Sequence, residues 1–250
     1  MSAACHVQQV SQAFGAGPPA LADVSLQIPA GEFVALVGPS GCGKSTLLRL
    51  LAGLLRPTQG TIVTASSTTA APRRAFVFQE PTLLPWRTVL ENVALPIELG
   101  AAPADALSRL QQTLALVGLL PEDGQKFPRQ LSGGMQMRVS LARAIITQPE
   151  LLLLDEPFAA LDDLLRQQLN EELLRWWQAQ GWTAVFVTHN VAEAVFLSQR
   201  VLVMSPRPGR IVADIRINSS YPRSPAWRAD PAFAALVGQV SERLRQEVAA

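Results

Sequence analysis

The pattern of hydrophobic and polar positions changes along the chain, and each period predicts a type of element. Residues 23–28 alternate polar and apolar, which is typical of a strand with one face exposed to solvent. Residues 33–37, 75–78 and 151–154 are wholly apolar, and such short runs predict strands that are buried on both faces. Further strands are expected over 6–14, 60–64, 183–187, 201–204 and 210–218.

Apolar residues at steps of three and four mark the helices. They predict helices over 45–55, 107–117, 134–147 and 231–248, and another that runs to Gln180 before Gly181. Loops are expected over 66–72, 121–124 and 219–230. Strands that alternate with helices predict a parallel sheet, and the helical stretch 83–147 interrupts that alternation. The pattern therefore predicts an α/β core with an inserted helical subdomain.

Composition limits the setting in which such a chain works. Hydrophobic residues make up 48% and charged residues 16%, so protein partners are expected to cover part of the apolar surface. A formal net charge of +1 gives no overall field that would attract nucleic acid or an acidic membrane. Cys5 and Cys42 form no disulfide framework, which favours a reducing cytosol. We expect no signal peptide, and the sequence has no apolar run of ~20 residues, so other chains would have to span any membrane.

One stretch indicates the chemistry of the site. Gly38, Pro39, Ser40, Gly41, Cys42, Gly43, Lys44, Ser45 and Thr46 follow a predicted strand and open a predicted helix. They contain Gly-x-x-x-x-Gly-Lys-Ser, which is typical of a phosphate-binding loop, although a plain Gly-rich turn is the alternative. Lys44 is expected to reach the terminal phosphates and the Ser45 hydroxyl to hold Mg²⁺. Cys42 is expected to be a reactive thiolate, because Lys44 and the start of a helix lie beside it.

Two carboxylates follow the apolar run at 151–154. The carboxyl edge of a parallel sheet is where ligands of α/β proteins bind, so Asp155 and Glu156 are placed there. Asp155 is predicted to hold Mg²⁺, and Glu156 is predicted to polarise a water for attack on the terminal phosphate. The alternative is an acidic cap on the next helix.

A second motif, Leu131-Ser132-Gly133-Gly134-Met135-Gln136, carries a family resemblance. Taken alone, Ser132 could simply cap a helix. Together with the other motifs, it makes the chain resemble the ATP-binding subunit of an ABC transporter. The resemblance implies an α/β fold of the P-loop NTPase class: a RecA-like parallel core, an N-terminal antiparallel β subdomain and an inserted helical subdomain. It also implies an ATPase domain over 1–218, with its helical subdomain at about 83–147, and a C-terminal loop and helix over 219–250.

The same resemblance assigns roles to further residues. Ser132, Gly133 and Gly134 are expected to clasp ATP that is held by a second subunit in a head-to-tail pair. Gln79 corresponds to the glutamine that senses Mg²⁺ and the attacking water, and His189 to the switch histidine at the terminal phosphate. Two more positions match: Asp162 in the loop that meets the partner subunit, and Phe14, which would stack on adenine where many relatives have Tyr. Ala159 departs from the Ser or Gly of many relatives, and 66–74 is short for the family.

Residues 79–86 and 204–211 are similar to segments of the nitrate, sulfonate and taurine importers. This similarity implies a homodimer or paired ATPase subunits, two transmembrane permease subunits, a solute-binding protein and no nucleic acid. The protein would act at the cytoplasmic face of the inner membrane, with Leu83, Leu84 and Trp86 helping to grip a permease helix. Ordinary core packing is the alternative for those three residues.

Three functions remain open from the sequence. The first is the ATPase of an importer, whose cargo is a small anion or, alternatively, a thiamine-precursor-like solute. The second is a non-transport ABC ATPase that acts on DNA or ribosomes, and the third is a small-molecule kinase that uses the same loop. All three share the physics of one phosphate-binding loop.

Overall fold

A computed structural model describes residues 2–15, 17–66 and 71–249, and two β-sheets organise that part of the chain. One sheet is antiparallel and has the strand order β2-β1-β4. Its strands are β1 (Ala3–Gln12), β2 (Leu21–Ile28) and β4 (Gln59–Ser66). The second sheet has the order β5-β6-β7-β3-β8-β9. Its strands are β3 (Phe33–Val37), β5 (Arg74–Val77), β6 (Leu151–Asp155), β7 (Thr183–Val187), β8 (Arg200–Met204) and β9 (Ile211–Arg216).

The second sheet is the predicted parallel core. Strands β5, β6, β7, β3 and β8 pair in parallel, and β9 adds an antiparallel edge. Every residue of β3, β6 and β7 is buried, as expected of strands with helices on both faces. Because these strands are parallel, the carboxyl ends of β3 and β6 lie at the same edge of the sheet. The predicted phosphate-binding loop and Asp155 therefore lie on one side of the molecule.

Strand β2 shows the alternation that the sequence predicts. Val24, Leu26 and Ile28 are buried, while Asp23, Ser25 and Gln27 are exposed. The buried face belongs to a hydrophobic cluster that also contains residues of helix α1 (Lys44–Ala52). This cluster attaches the antiparallel sheet to the start of the parallel core. The predicted loop over 66–72 and the shortness of 66–74 fall partly on 67–70, outside the described residues.

Three α-helices separate β5 from β6 within the described chain. They are α2 (Val89–Glu98), α3 (Leu110–Leu116) and α4 (Gly133–Ile145). The sequence pattern did not delimit α2, because Pro96 stands inside it. Its start is nevertheless marked by a capping box between Thr88 and Glu91. The loop predicted at 121–124 is instead a short 3₁₀ helix, Pro121–Gln125.

The remaining helices are α5 (Asp163–Gln180), α6 (Val191–Leu197) and α7 (Pro231–Ala249). Helix α6 was not predicted, because seven residues are too few for a clear periodicity. The connection to α7, expected as a loop, contains a 3₁₀ turn at Pro225–Ala229. Buried Arg223 donates hydrogen bonds from Nη1 to the carbonyl oxygens of Val195, Phe196 and Ser198, at 2.8–2.9 Å. The C-terminal segment is therefore packed onto the end of α6.

No helix among the described residues has the length and apolar composition that would let it cross a membrane.

Candidate functional site

The predicted phosphate-binding loop connects β3 to α1 at the carboxyl edge of the parallel sheet. Gly43 has φ 104°, and a Cβ atom there would lie 2.7 Å from Leu21 Cδ2, so conformation and space both require glycine. Lys44 Nζ donates to the carbonyl oxygens of Gly38 at 2.8 Å and Pro39 at 3.0 Å. The loop is thus curled around the ammonium group. The first N–H groups of α1 lack helical partners, and they add donors for an anion at this point.

A cleft of about 330 Å³ opens over the loop. Its lining residues come from four parts of the chain: Phe14, Ala20, Ser40, Gly41, Gly43, Lys44, Ser45, Thr46, Glu156 and Arg207. The ring of Phe14 is about half exposed, so one of its faces is available for stacking. An aromatic ring and a phosphate-binding loop in one cleft match the two ends of a nucleotide.

A larger groove of about 850 Å³ lies along β2, β8, β9 and α7, but its chemistry is different. Arg200 Nη1 lies 2.7 Å from Glu32 Oε2, and Arg200 Nη2 lies 2.7 Å from Asp214 Oδ2. Arg200 is therefore neutralised by its own neighbours, whereas Arg216, the other arginine of this groove, is exposed to solvent. The smaller cleft over the loop is the better anion site.

Ser45 and Asp155 meet beside the cleft. The Ser45 hydroxyl donates to Asp155 Oδ1 at 2.8 Å, and burial raises the pKa of the Asp155 carboxyl. Within the described ranges, no group of three or more His, Cys, Asp or Glu side chains is placed to hold a metal ion. Two neighbouring oxygen ligands nevertheless fit Mg²⁺, which usually takes one or two carboxylates together with phosphate oxygens and water. A cation here would also offset the cost of a buried carboxylate.

Glu156 and His189 form the second polar pair of the site. Glu156 Oε2 lies 2.8 Å from His189 Nδ1, and Glu156 also lines the cleft. Glu156 has φ 47°, a left-handed conformation that is uncommon for a side-chain-bearing residue. Its backbone N–H donates to the carbonyl oxygen of Val187 at 3.0 Å, so the end of β7 holds it in place. Strained backbone of this kind is often found at functional sites.

Other predicted site residues lie outside the cleft of this chain. Ser132 is exposed at the start of α4, where its hydroxyl accepts a hydrogen bond from the Met135 N–H at 3.3 Å. Gly133 and Gly134 follow it at the same helix start. Asp162 caps α5 by accepting from the Leu165 N–H at 3.0 Å. The side chains of Ser132 and Asp162 thus cap helices, as the helix-cap alternative for Ser132 predicts. None of these residues lines the cleft of its own chain.

Gln79 also lies apart from the cleft. Its side chain is exposed and forms no hydrogen bond within the described part of the protein. The segment that follows it is anchored by Arg143 of α4, which sequence reasoning did not single out. Arg143 Nη2 donates to the Pro81 carbonyl at 2.8 Å, and Nη1 donates to the Thr82 carbonyl at 2.9 Å. This anchor ties the chain after Gln79 to the helix that begins with the Ser132 motif.

Sequence reasoning also missed Asn92 and Arg207. Asn92 is fully buried and clamps the turn before α2. Its Oδ1 accepts from the Leu84 N–H at 2.8 Å, and its Nδ2 donates to the carbonyl oxygens of Leu84 and Arg87 at 3.1 Å. A single Asn inside a helix gives no sequence signal of such a role. Arg207, in contrast, stands in the segment 204–211 that resembles the anion importers, so that segment could have identified it.

The expectation that Cys42 is a reactive thiolate is wrong. The side chain is buried, and burial raises the pKa of the Cys42 thiol despite Lys44 Nζ at 4.0 Å from Sγ. Desolvation outweighs the attraction of the lysine, so the protonated thiol is favoured. The sequence showed the neighbouring positive charge, but it could not show the packing that covers the sulfur.

We therefore expect the native protein to resist N-ethylmaleimide at pH 7. A raised pKa leaves less thiolate at every pH below it, so labelling of the native state should increase only at alkaline pH. Cys5 is also buried, with its pKa raised to about 11, and both thiols should react once urea unfolds the chain. Mass spectrometry of wild type and Cys42→Ser counts the adducts. Rapid stoichiometric labelling of native Cys42 at pH 7 would contradict the buried geometry.

Comparison with known proteins agrees with this arrangement. The sequence profile of the ABC transporter family matches residues 21–159. The chain is 47% identical to an aliphatic sulfonates import ATP-binding protein of Mesorhizobium japonicum, over 88% of this chain and 81% of that protein. It is 46% identical to a nitrate import ATP-binding protein of Synechococcus elongatus, over 87% of this chain and 34% of that protein.

A solved structure agrees as well. The chain matches a dimeric ATP-binding cassette in a post-hydrolysis state, bound to ADP and Pi, with a TM-score of 0.73 and 30% identity. The match covers 86% of this chain and 100% of that chain. The predicted α/β fold of the P-loop NTPase class is thereby confirmed. The chain belongs to the ABC transporter family, as an ATP-binding protein that hydrolyses ATP.

Proposed function

We propose that the protein is the ATP-hydrolysing subunit of an importer for a sulfonate, nitrate, taurine or similar small anion. It pairs head to tail with a second ATPase subunit at the cytoplasmic face of the inner membrane. Two transmembrane permease subunits and a solute-binding protein complete the system. The names of the sulfonate and nitrate relatives, at 46–47% identity, support this choice of cargo. Within the chain, residues 1–218 form the ATPase domain, with the helical subdomain at about 83–147, and 219–250 follow it.

The position of the Ser132 motif carries the proposal. Ser132 and Gly133 are exposed at the start of α4 and do not line the cleft of their own chain. A helix N-terminus with a free anion-binding face suits a phosphate, but the phosphates of this chain are held elsewhere. A two-fold pair brings each motif to the other copy's cleft, so that two sites are completed by one symmetric interface.

The predicted site residues then divide the tasks of hydrolysis. Lys44 and the start of α1 bind the phosphates, and Phe14 stacks on adenine. Ser45 and Asp155 would hold Mg²⁺, which when bound neutralises phosphate charge and orients the terminal group. Gln79, which lies apart from the cleft in this structure, stays a predicted ligand. Glu156 accepts a proton from the attacking water. The contact between Glu156 and His189, at 2.8 Å, supports an oriented carboxylate, and the imidazole would then contact the terminal phosphate.

The contacts of Arg143 and Asn92 support a mechanical connection between the ATP site and the permease. Arg143 joins the segment after Gln79 to α4, and Asn92 holds the following turn. That turn presents Trp86 with 70% of its side chain exposed. A large apolar side chain on a fixed turn is suited to contact a protein partner. We infer that Trp86, with Leu83 and Leu84, meets a cytoplasmic helix of the permease.

Reconstitution of the complete importer in lipid tests this function. We expect an aliphatic sulfonate or nitrate, presented by the binding protein, to increase ATP hydrolysis. Trp86→Asp should abolish assembly with the permease and with it the stimulation, because a buried unpaired charge is costly. ATP binding by the isolated variant should not change.

Leu54→Asp is the matched control, because it also replaces an exposed apolar side chain by a charge. Leu54 is 58% exposed and lies just after α1, outside the helical insertion. Co-purification and ATPase rates are the measurements. Undiminished assembly of Trp86→Asp would contradict the docking role. Stimulation by neither anion would contradict the cargo while leaving the docking role intact.

A further inference from the structure

The loop between β8 and β9 packs directly on the phosphate-binding loop. Gly209 N–H donates to the Ala20 carbonyl at 2.9 Å, and the Gly209 carbonyl accepts from the Ala22 N–H at 3.1 Å. A Cβ atom at Gly209 would lie 2.0 Å from the Cys42 carbonyl oxygen, so only glycine allows this approach. The loop 205–210 is thus fixed against the phosphate-binding loop, although it lies far from that loop in sequence, and of its residues Arg207 lines the cleft.

Arg207 is held at the adenine end of the cleft by this loop. Its Nη2 donates to the Pro18 carbonyl at 2.7 Å and its Nε to the Pro19 carbonyl at 3.3 Å. Those carbonyls belong to the connection between β1 and β2 that also contains Phe14. Ser45, Asp155 and Glu156 form the other polar group of the site.

The Arg207 guanidinium has a donor group that a ligand could use. None of the hydrogen bonds that Arg207 makes to described residues uses Nη1. Its two acceptors are neutral carbonyl oxygens, and no carboxylate of the described ranges forms a salt bridge with it. Arg207 is therefore an unneutralised cation that lines an anion-binding cleft. Arg200, paired with Glu32 and Asp214, lacks this property.

We propose that Arg207 binds the α-phosphate of the nucleotide. With adenine at Phe14 and the terminal phosphates at Lys44, the ribose and the α-phosphate occupy the space between them. A guanidinium prefers an anionic oxygen to a neutral hydroxyl, since two opposite charges add Coulomb attraction to the hydrogen bond. The inference rests on ATP occupying this cleft, and it adds a nucleotide-binding residue that lies outside the phosphate-binding loop.

An α-phosphate contact has a specific consequence for nucleotide preference. ATP and ADP share this phosphate, so loss of Arg207 should weaken both by the same factor. Loss of a contact to the terminal phosphate would weaken ATP alone. Because the contact is ionic, its removal should also reduce the dependence of ADP affinity on salt concentration.

Isothermal titration calorimetry of the full chain with ADP and with the non-hydrolysable analogue AMP-PNP tests the proposal by measuring both dissociation constants. Arg207→Ala and Arg207→Gln should each raise both dissociation constants by about tenfold, the effect of one charge-assisted hydrogen bond. The Gln variant retains a donor for the Pro18 carbonyl, so its melting temperature without nucleotide should match wild type. Arg210→Ala, in the same loop but outside the cleft lining, should bind both nucleotides normally.

Three results would overturn the assignment. If Arg207→Gln bound ADP with wild-type affinity, Arg207 would only connect its own loop to the β1–β2 connection and would not bind nucleotide. Weakening of AMP-PNP alone, or a loss that does not depend on salt, would place the contact elsewhere on the nucleotide. Normal binding of AMP-PNP by Lys44→Ala would overturn the cleft as the nucleotide site, and the role of Arg207 with it. Failure of the Arg207 variants alone leaves that site and the proposed importer function intact.

Discussion

Glu156→Gln is expected to lower ATP turnover by about two orders of magnitude or more, because it removes the proposed proton acceptor. The amide has nearly the shape of the carboxylate and can still contact His189, which lies 2.8 Å from Glu156 Oε2. It cannot accept the proton of an attacking water at neutral pH. Nucleotide affinity should therefore be retained, because Lys44 and the start of α1 are unchanged.

Single-turnover hydrolysis and size-exclusion chromatography with ATP measure these two effects. The variant should accumulate as ATP-bound dimers, since closure is separated from hydrolysis. Glu242→Gln, on exposed α7, controls for the loss of one carboxylate and should hydrolyse ATP at the wild-type rate. Near-wild-type turnover of Glu156→Gln would show that another group activates the water.

The second large effect concerns two variants that are inactive for different reasons. Lys44→Ala should lose ATP binding, because it removes the cation that pairs with the phosphates. Ser132→Arg should still bind ATP, because its own cleft is intact, but it should not hydrolyse it. A bulky side chain at the exposed start of α4 blocks closure of the two-fold pair. Filter binding and ATPase assays separate these two defects.

Mixing the two variants should restore hydrolysis. One interface of a mixed dimer joins both defects, and the other joins an intact Lys44 loop to an intact Ser132 motif. With random pairing and independent sites, about a quarter of wild-type activity should return, since half of the dimers carry one good site. Mixing Lys44→Ala with a chain that carries both substitutions is the matched control, because every cleft then lacks Lys44.

The proposal that two subunits share each site is wrong if Ser132→Arg alone hydrolyses ATP normally. It also fails if that variant loses ATP affinity as severely as Lys44→Ala. Either result would place the Ser132 motif outside the reaction of a second subunit. ATPase activity is the appropriate readout, because transport can require both sites of a dimer.

Much of the site was predictable because its residues are neighbours in sequence. The loop from Gly38 to Thr46 needs only a preceding buried strand and a following helix, and both produce local patterns. Asp155 and Glu156 follow a wholly apolar strand, and parallel pairing places its end beside that loop. Site residues that stand outside such motifs, by contrast, have no local signal. Phe14 and His189 were assigned through family resemblance rather than through periodicity.

Packing decided what neither pattern nor resemblance could show. Cys42 has Lys44 two residues away, which favours a thiolate, yet burial from other parts of the chain raises its pKa. Desolvation depends on everything that covers an atom, and sequence neighbours are a small part of that cover. Arg143 likewise has its role only because backbone carbonyls 61 and 62 residues earlier in the chain come within hydrogen-bonding distance of it. Asn92 has its role because the turn before α2 folds back onto its side chain.

The sequence by itself thus determined the α/β core, the phosphate-binding loop and the two carboxylates, because each depends on a short run of residues and its periodicity. Tertiary structure alone decided where the Ser132 motif stands, exposed and outside its own cleft. It also brought Arg207 to the carbonyl oxygens of Pro18 and Pro19, which are 189 and 188 residues away in sequence. The physical reason is that a local pattern specifies an element and its buried face. Which elements share a cleft depends on the packing of the whole sheet.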